Sequence, residues 1–143
     1  SVQRFLPDKL ILTIKERKPR AIWRNHGKFL LIDQEGYILR NYVSNQERAK
    51  HIILFGPNAN KKFIDILDIL EKQNNNQIEV ASLHFIEARR WNILLLNGVV
   101  VKLPENKLEN AIMTLFTLLK KNNLSGKIQV IDLRLLPEKI FVR

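Results

Sequence analysis

The chain carries few side chains of the kinds that perform catalysis. Its three histidines, His26, His51 and His84, have no second histidine or carboxylate at the spacing of a helical zinc site. Asp65 and Asp68 share a face of a predicted helix, as polar residues of any amphipathic helix do. Cysteine is absent, no serine lies in a G-x-S-x-G motif, and the five glycines do not cluster. The sequence therefore predicts no enzyme, no metal, no cofactor and no small-molecule substrate.

The net charge is +10, from 24 Lys and Arg against 14 Asp and Glu. Residues 1–50 hold the denser excess, with 11 basic and 5 acidic side chains. One interpretation is a polyanionic partner, either nucleic acid or an anionic lipid surface near the front half. The other is a composition rich in Lys, Asn and Ile that only solvates the surface. The nearest approach to a nucleic-acid motif is Arg89-Arg90-Trp91, and a packed tryptophan beside strand charges explains it equally well. We therefore expect no nucleic acid.

The strongest structural signal lies in residues 78–104, where Asn97-Gly98 separates two runs of branched aliphatic residues. Asn-Gly favours a two-residue hairpin turn, because both positions then need a positive φ. Such a turn pairs Leu96 with Val99. The predicted core face then carries Leu94, Leu96, Val99, Val101 and Leu103.

Short strands and two helices account for most of the chain. The preceding strand of the meander changes phase, which predicts a β-bulge near Ala81-Ser82. Other strands are predicted at residues 10–17, 28–33, 37–40, 127–135 and 139–143. One helix is predicted from Asn58 or Asn60 to about Lys72, and a second opens at Pro104. Both have an apolar stripe at helical spacing, and residues 41–46 are predicted to be a linker.

This pattern indicates an α+β fold, with a small antiparallel sheet followed by a mostly antiparallel unit with two helices. The last strand, if it lies at a sheet edge, exposes unpaired N–H and C=O groups that can template a partner strand. The first sheet offers no helix to cover it, and the chain begins at Ser1, so we expect an upstream piece that is either missing or disordered. No apolar run approaches 18 residues.

Four motifs spread over nearly the whole chain share one resemblance. They are VQRFLPDKLILTIKERKPRAIW with LLIDQEGYIL, then ILFGP, then ARRWNILLLNGVVVKLP, and finally IQVIDLRLLPEKIFVR. In this order they resemble the bacterial cell-division family FtsQ, called DivIB in Gram-positive bacteria. The resemblance implies that residues 1–44 end a POTRA domain and that residues 45–143 form the β domain of the family.

The resemblance also implies a non-enzymatic scaffold of the divisome. It would be a single-pass inner-membrane protein with its membrane segment upstream and this region in the periplasm. Its implied partners are FtsB and FtsL, with FtsB adding a strand to the C-terminal edge strand. The implied contact residues are Arg134, Leu135, Leu136, Pro137, Lys139, Ile140, Phe141, Val142 and Arg143. Either Arg89 or Arg90 would pair with a partner carboxylate.

One departure and two alternatives accompany this resemblance. Members of the family often carry tyrosine where this chain has Leu135, so a side-chain hydrogen bond there is in doubt. One alternative is a POTRA-type assembly or transport module of the outer-membrane machinery, which should bring another POTRA domain or a barrel after residue 45. The other is a basic nucleic-acid-binding domain.

Overall fold

Nine strands and three helices lie in the residues that the computed structural model describes, which are 16–73, 79–121, 128–137 and 139–143. The strands are β1 (Ala21–Asn25), β2 (Lys28–Ile32), β3 (Ile38–Arg40), β4 (Ile53–Phe55), β5 (Val80–Ile86), β6 (Arg90–Leu95), β7 (Val100–Lys102), β8 (Val130–Asp132) and β9 (Phe141–Val142). The helices are α1 (Asn45–Lys50), α2 (Ala59–Gln73) and α3 (Leu108–Lys121). The predicted α+β class is confirmed. Most of the strand predicted at residues 10–17 lies outside the described residues.

All nine strands join one sheet in the order β3-β2-β1-β4-β5-β6-β7-β8-β9. Neighbours are antiparallel except for β1 with β4, β4 with β5, and β7 with β8. Parallel neighbours need a crossover connection, and α2 and α3 supply it for the second and third of these pairs. The sheet runs without a break past residue 44, where the sequence suggested a domain boundary. That boundary stays a prediction.

The core lies on the sheet face that the two long helices cover, which we call the helix face. One row of cross-strand neighbours on this face comprises Leu30, Trp23, Leu54, Leu83, Ile93, Val101, Ile131 and Val142. The apolar stripes predicted for α2 and α3 join the same buried cluster and are confirmed. Every residue of the row is buried except Val142, which is 43% exposed. The buried row thus ends at the partly exposed side chain of Val142 in β9.

The hairpin between β6 and β7 exists, but its loop has three residues rather than two. The main-chain N–H of Leu95 donates to the carbonyl of Val99 at 2.9 Å, and Gly98 N–H donates back to Leu95 at 2.9 Å. Gly98 has φ 91°, and the Asn97 carboxamide oxygen accepts from Val99 N–H at 3.0 Å. These features match a type I turn followed by a left-handed glycine.

The longer loop shifts the register by one residue, so Leu94 pairs with Val100 rather than Val101. A slip of one residue relative to the neighbouring strand exchanges the two faces of the slipped strand. The predicted core face is therefore wrong for Leu94 and Leu96 and is confirmed for Val99, Val101 and Leu103. The buried residues of the hairpin are Trp91, Ile93, Leu95, Val99, Val101 and Leu103. Leu94 is half-buried, and Leu96, which was predicted in the core, is 61% exposed in the loop.

Helix α1 replaces part of the predicted linker at residues 41–46. Ser44 caps it, because its hydroxyl accepts from Glu47 N–H at 3.2 Å while the Glu47 carboxylate accepts from Ser44 N–H at 3.1 Å. This is a capping box, whose S-x-x-E signature is readable in the sequence.

Three further predictions concern the bulge in β5, the start of α3 and the length of the last strand. The predicted bulge in β5 is confirmed by a register shift between Val80 and Ser82. Helix α3 begins at Leu108, later than the predicted Pro104. The last strand is shorter than predicted, since regular pairing covers Phe141 and Val142 only.

Candidate partner-binding edge strand

Strand β9 is the outermost strand at one end of the sheet. Its inner side pairs with β8, with Phe141 opposite Asp132 and Val142 opposite Ile131. Arg143 and Val130 exchange both main-chain hydrogen bonds, at 2.9 and 3.0 Å. Because these pairs alternate along an antiparallel ladder, the N–H and C=O of Val142 point away from β8. No strand of the described residues lies beyond them.

The side chains of this edge are apolar and exposed. Ile140, Phe141 and Val142 are 41%, 44% and 43% exposed. The register puts Val142 on the helix face and Phe141 on the opposite face. An edge with unpaired main-chain groups and exposed apolar side chains is a template for another strand.

A turn held by a buried carboxylate positions β9. Asp132, 6% exposed, accepts from Arg134 Nε at 2.9 Å, from its Nη2 at 2.6 Å and from its main-chain N–H at 3.0 Å. The hydrogen bonds from Arg134 hold the pKa of Asp132 below its ordinary value, against the opposing effect of burial. Two main-chain bonds, from Leu136 N–H to Leu133 and from Lys139 N–H to Leu135, complete the turn. Arg134 therefore has a partner within its own chain.

The remaining predicted contact residues lie in the same turn and edge. Leu135 is 51% exposed, whereas Leu136 is half-buried against the core. Pro137 follows a cis peptide bond and is exposed. Lys139 and Arg143 are exposed at the two ends of the edge segment. The structure thus places the predicted C-terminal residues in one turn and the edge segment that follows it.

The two adjacent arginines have different surroundings. Arg89 is exposed, and its Nη2 donates to Glu87 Oε2 at 2.5 Å, which raises its pKa. Arg90 is half-buried, and its Nη1 donates to the neutral Asn92 Oδ1 at 2.6 Å. Burial first and then the charge of Arg134 lower the Arg90 pKa. Within the described ranges, no carboxylate oxygen lies within 4.0 Å of Arg90, so its charge is the less compensated of the two.

A groove next to β9 was not predicted from the sequence. It has a volume of about 520 Å³ between the outer side of α3 and the edge segment. Its apolar lining comes from Met113, Leu118 and Ile140, with Thr117 and Lys121 at its polar side. Met113 is 48% exposed and falls outside the stripe that α3 buries, which is the one signal the sequence offered.

The described part of the chain contains neither a metal-binding cluster nor a membrane-spanning helix. No group of three His, Cys, Asp or Glu side chains there could hold a metal ion. None of the helices there has both the length and the apolarity needed to cross a bilayer.

Comparison with known proteins gives a consistent family. A profile described as "Cell division protein FtsQ/DivIB, C-terminal" matches residues 21–134. A "Cell division protein FtsQ" of Bradyrhizobium diazoefficiens is 32% identical over 100% of this chain and 42% of its own length. Proteins of the same name from Novosphingobium aromaticivorans and Rickettsia prowazekii are each 29% identical, over 99% and 93% of this chain and 45% and 49% of theirs. The chain spans less than half the length of these three relatives. By the extent of the profile match, it belongs to the FtsQ/DivIB family of cell division proteins.

Proposed function

We propose that this chain is the periplasmic part of a single-pass inner-membrane scaffold that holds FtsB, and through it FtsL, at the division site. In this proposal the scaffold binds its protein partners and does not catalyse a reaction. Membership of the FtsQ/DivIB family supports the role in cell division. The single observation that carries the binding mode is the outer side of β9, along which no strand of the described residues pairs.

Main-chain hydrogen bonds supply the affinity in this proposal. A strand laid beside β9 bonds with the outward N–H and C=O of Val142, and continues along Ile140 by the same alternation. Each net hydrogen bond contributes about 0.5–1.5 kcal/mol. Regular pairing covers only two residues of β9, so the partner strand extends the ladder toward residue 139.

Side chains supply the selectivity. Alternate residues of an added strand point to opposite faces of the sheet. Those on the helix face extend the buried row past Val142 and cover the groove beside Met113 and Leu118. Those on the other face pack against Phe141. A partner strand with apolar residues at both parities fits this edge best.

Arg90 is the arginine we assign to a partner carboxylate. Arg89 already donates to Glu87, whereas the Arg90 guanidinium has a neutral acceptor and the like charge of Arg134 nearby. An acidic side chain from the partner relieves that repulsion. Asn92, which accepts the hydrogen bond from Arg90, lies in a row of cross-strand neighbours that continues through Lys102 and Asp132 to Phe141. A partner chain that leaves β9 and crosses this face of the sheet therefore passes close to Arg90.

The test is a calorimetric titration of residues 1–143 with the soluble periplasmic segment of FtsB from the same genome. We expect a 1:1 complex with a dissociation constant in the micromolar range or below, with modest dependence on salt. A folded chain that gives no binding at about 100 µM of each protein contradicts the proposal. Tight, steeply salt-dependent binding to duplex or single-stranded DNA in a gel shift would favour the nucleic-acid alternative instead.

A further inference from the structure

Two arginines share one phenyl ring near the far end of the sheet from β9. The Cζ atoms of Arg24 in β1 and Arg48 in α1 each lie 4.3 Å from the centroid of the Phe29 ring in β2. Arg24 and Phe29 are direct cross-strand neighbours, so both side chains lie on the face opposite the helix face. Cation–π contact of this kind fixes the plane of each guanidinium.

Among the described residues, neither arginine has a carboxylate within ion-pair distance. The arginines that do contact a carboxylate are Arg17, Arg20, Arg40, Arg89 and Arg134. In the described part of the chain, Arg24 and Arg48 have no such contact. The acid of α1, Glu47, is bound to Arg40.

The spacing of the pair suits one small oxyanion. Since both Cζ atoms are 4.3 Å from one centroid, they are separated by no more than twice that distance. Charge-assisted N–H···O bonds of about 2.7–2.9 Å from each side let one tetrahedral anion bridge such a gap. The anion also relieves the repulsion between the two guanidiniums, and the ring holds them ready for it.

We propose that Arg24 and Arg48, stacked on Phe29, form a binding site for a phosphate group. Phosphate fits better than carboxylate because it offers oxygens in more than one direction, and because two guanidiniums exceed the charge of one carboxylate. The group can come from an anionic phospholipid headgroup or from a soluble phosphate ester. This site is separate from β9 and does not depend on strand addition.

The experiment has two arms, both with residues 1–143. One measures cosedimentation with vesicles of phosphatidylglycerol and phosphatidylcholine, against vesicles of phosphatidylcholine alone. The other follows arginine side-chain NMR signals during titration with inorganic phosphate and glycerol phosphate. The test variant is Arg24→Gln with Arg48→Gln. The matched control is Lys61→Gln with Lys62→Gln, which removes the same charge from exposed positions on α2.

We expect the arginine variant to lose at least about fivefold in affinity and the lysine control less than about twofold, with both melting like the parent chain. Binding to vesicles alone identifies the lipid headgroup as the source, and binding to soluble phosphate alone identifies an ester. The variant Arg24→Lys with Arg48→Lys keeps the charge and should still lose several-fold, because lysine lacks the planar fork. Equal losses in the arginine variant and the lysine control, or no binding in either arm, overturns the proposal.

Discussion

The two ends of the sheet use the same turn chemistry but leave different edges. Asp33 directly after β2 and Asp132 at the end of β8 are both buried, and each accepts at least one main-chain N–H of the turn that follows. Each also pairs with an arginine, Arg17 at 2.6 Å and Arg134 at 2.6 Å. The turns lead into β3 and β9, the outermost strands. The turns that fix the two ends of the sheet are therefore alike, but the edge strands that follow them differ.

Strand β3 is protected from pairing with a further strand by its irregular register and by its ion pair with helix α1. Its pairing with β2 shifts register between Leu31 and Ile32, and its Arg40 is bound to Glu47 of α1. Strand β9 pairs with β8 without a shift and carries no charged residue within its regular part. Natural sheets protect edges with bulges and charges. Exposed apolar area does not distinguish the ends, since Ile38 of β3 is 53% exposed; backbone regularity does.

The largest expected effect is on stability at the β3 end. Gly36 has φ +86°, and a Cβ there would lie 2.2 Å from the main-chain oxygen of Asn60 at the start of α2. We expect Gly36→Ala to destabilise the chain by about 2–4 kcal/mol, from clash and backbone strain together. Thermal unfolding by circular dichroism should show a melting temperature lower by roughly 6–15 °C. An unchanged melting temperature would mean that the β3 end is not locked to α2.

The next effect is on binding at the β9 end. Phe141→Glu puts a charge where the partner strand packs, so we expect at least a tenfold loss of affinity for the FtsB segment, about 1.4 kcal/mol or more. The exposed position should leave the melting temperature nearly unchanged. Ile38→Glu is the matched control, because it makes the same kind of change on the opposite edge, and should bind as the parent does. Similar losses in both variants would remove the distinction between the two edges.

A smaller effect separates the two neighbouring arginines. We expect Arg90→Gln to weaken binding of the FtsB segment about threefold to tenfold, since its charge has no carboxylate contact among the described residues. Arg89→Gln should weaken binding less than twofold, because Arg89 is already bound to Glu87. Titrations at low and high salt measure both. The reverse ranking would assign the partner contact to Arg89.

The smallest effect under ordinary conditions is a dependence on pH. The pKa of Asp132 is lowered in the fold from its ordinary value of 3.8, so its contribution to stability is complete above that value and is lost as pH falls through the lower folded pKa. We expect the Phe141 amide NMR signal to be constant from pH 8 to 5 and to move only below pH of about 3.8. Asp132→Asn should abolish that transition. A transition near neutral pH would contradict the assigned ion pair.

Part of this architecture could be predicted from local pattern. The stripes of the long helices and the bulge in β5 follow from side-chain periodicity alone. The hairpin register could not, because Asn97-Gly98 favours a two-residue loop but also fits a three-residue loop with a left-handed glycine, and only the second buries Trp91. Helix α1 was missed because it has no apolar stripe, although Ser44 and Glu47 carry its capping signature.

The candidate site was predictable as a region but not in its details. The C-terminal position of β9 and its apolar residues are visible in the sequence. The choice between Arg89 and Arg90 depends on where the turn puts Glu87, which has a positive φ of 54°. The groove beside Met113 depends on how α3 packs against the edge segment, and that is a tertiary property.

Amide hydrogen exchange at β9, with and without the FtsB segment, tests the central claim most directly. The Val142 N–H points away from β8, whereas those of Phe141 and Arg143 point toward it. We predict that the partner slows exchange at Val142 by at least tenfold and leaves the Ile38 to Arg40 amides of β3 unchanged. A tight complex in which the Val142 amide exchanges as fast as in the isolated chain would contradict strand addition at this edge.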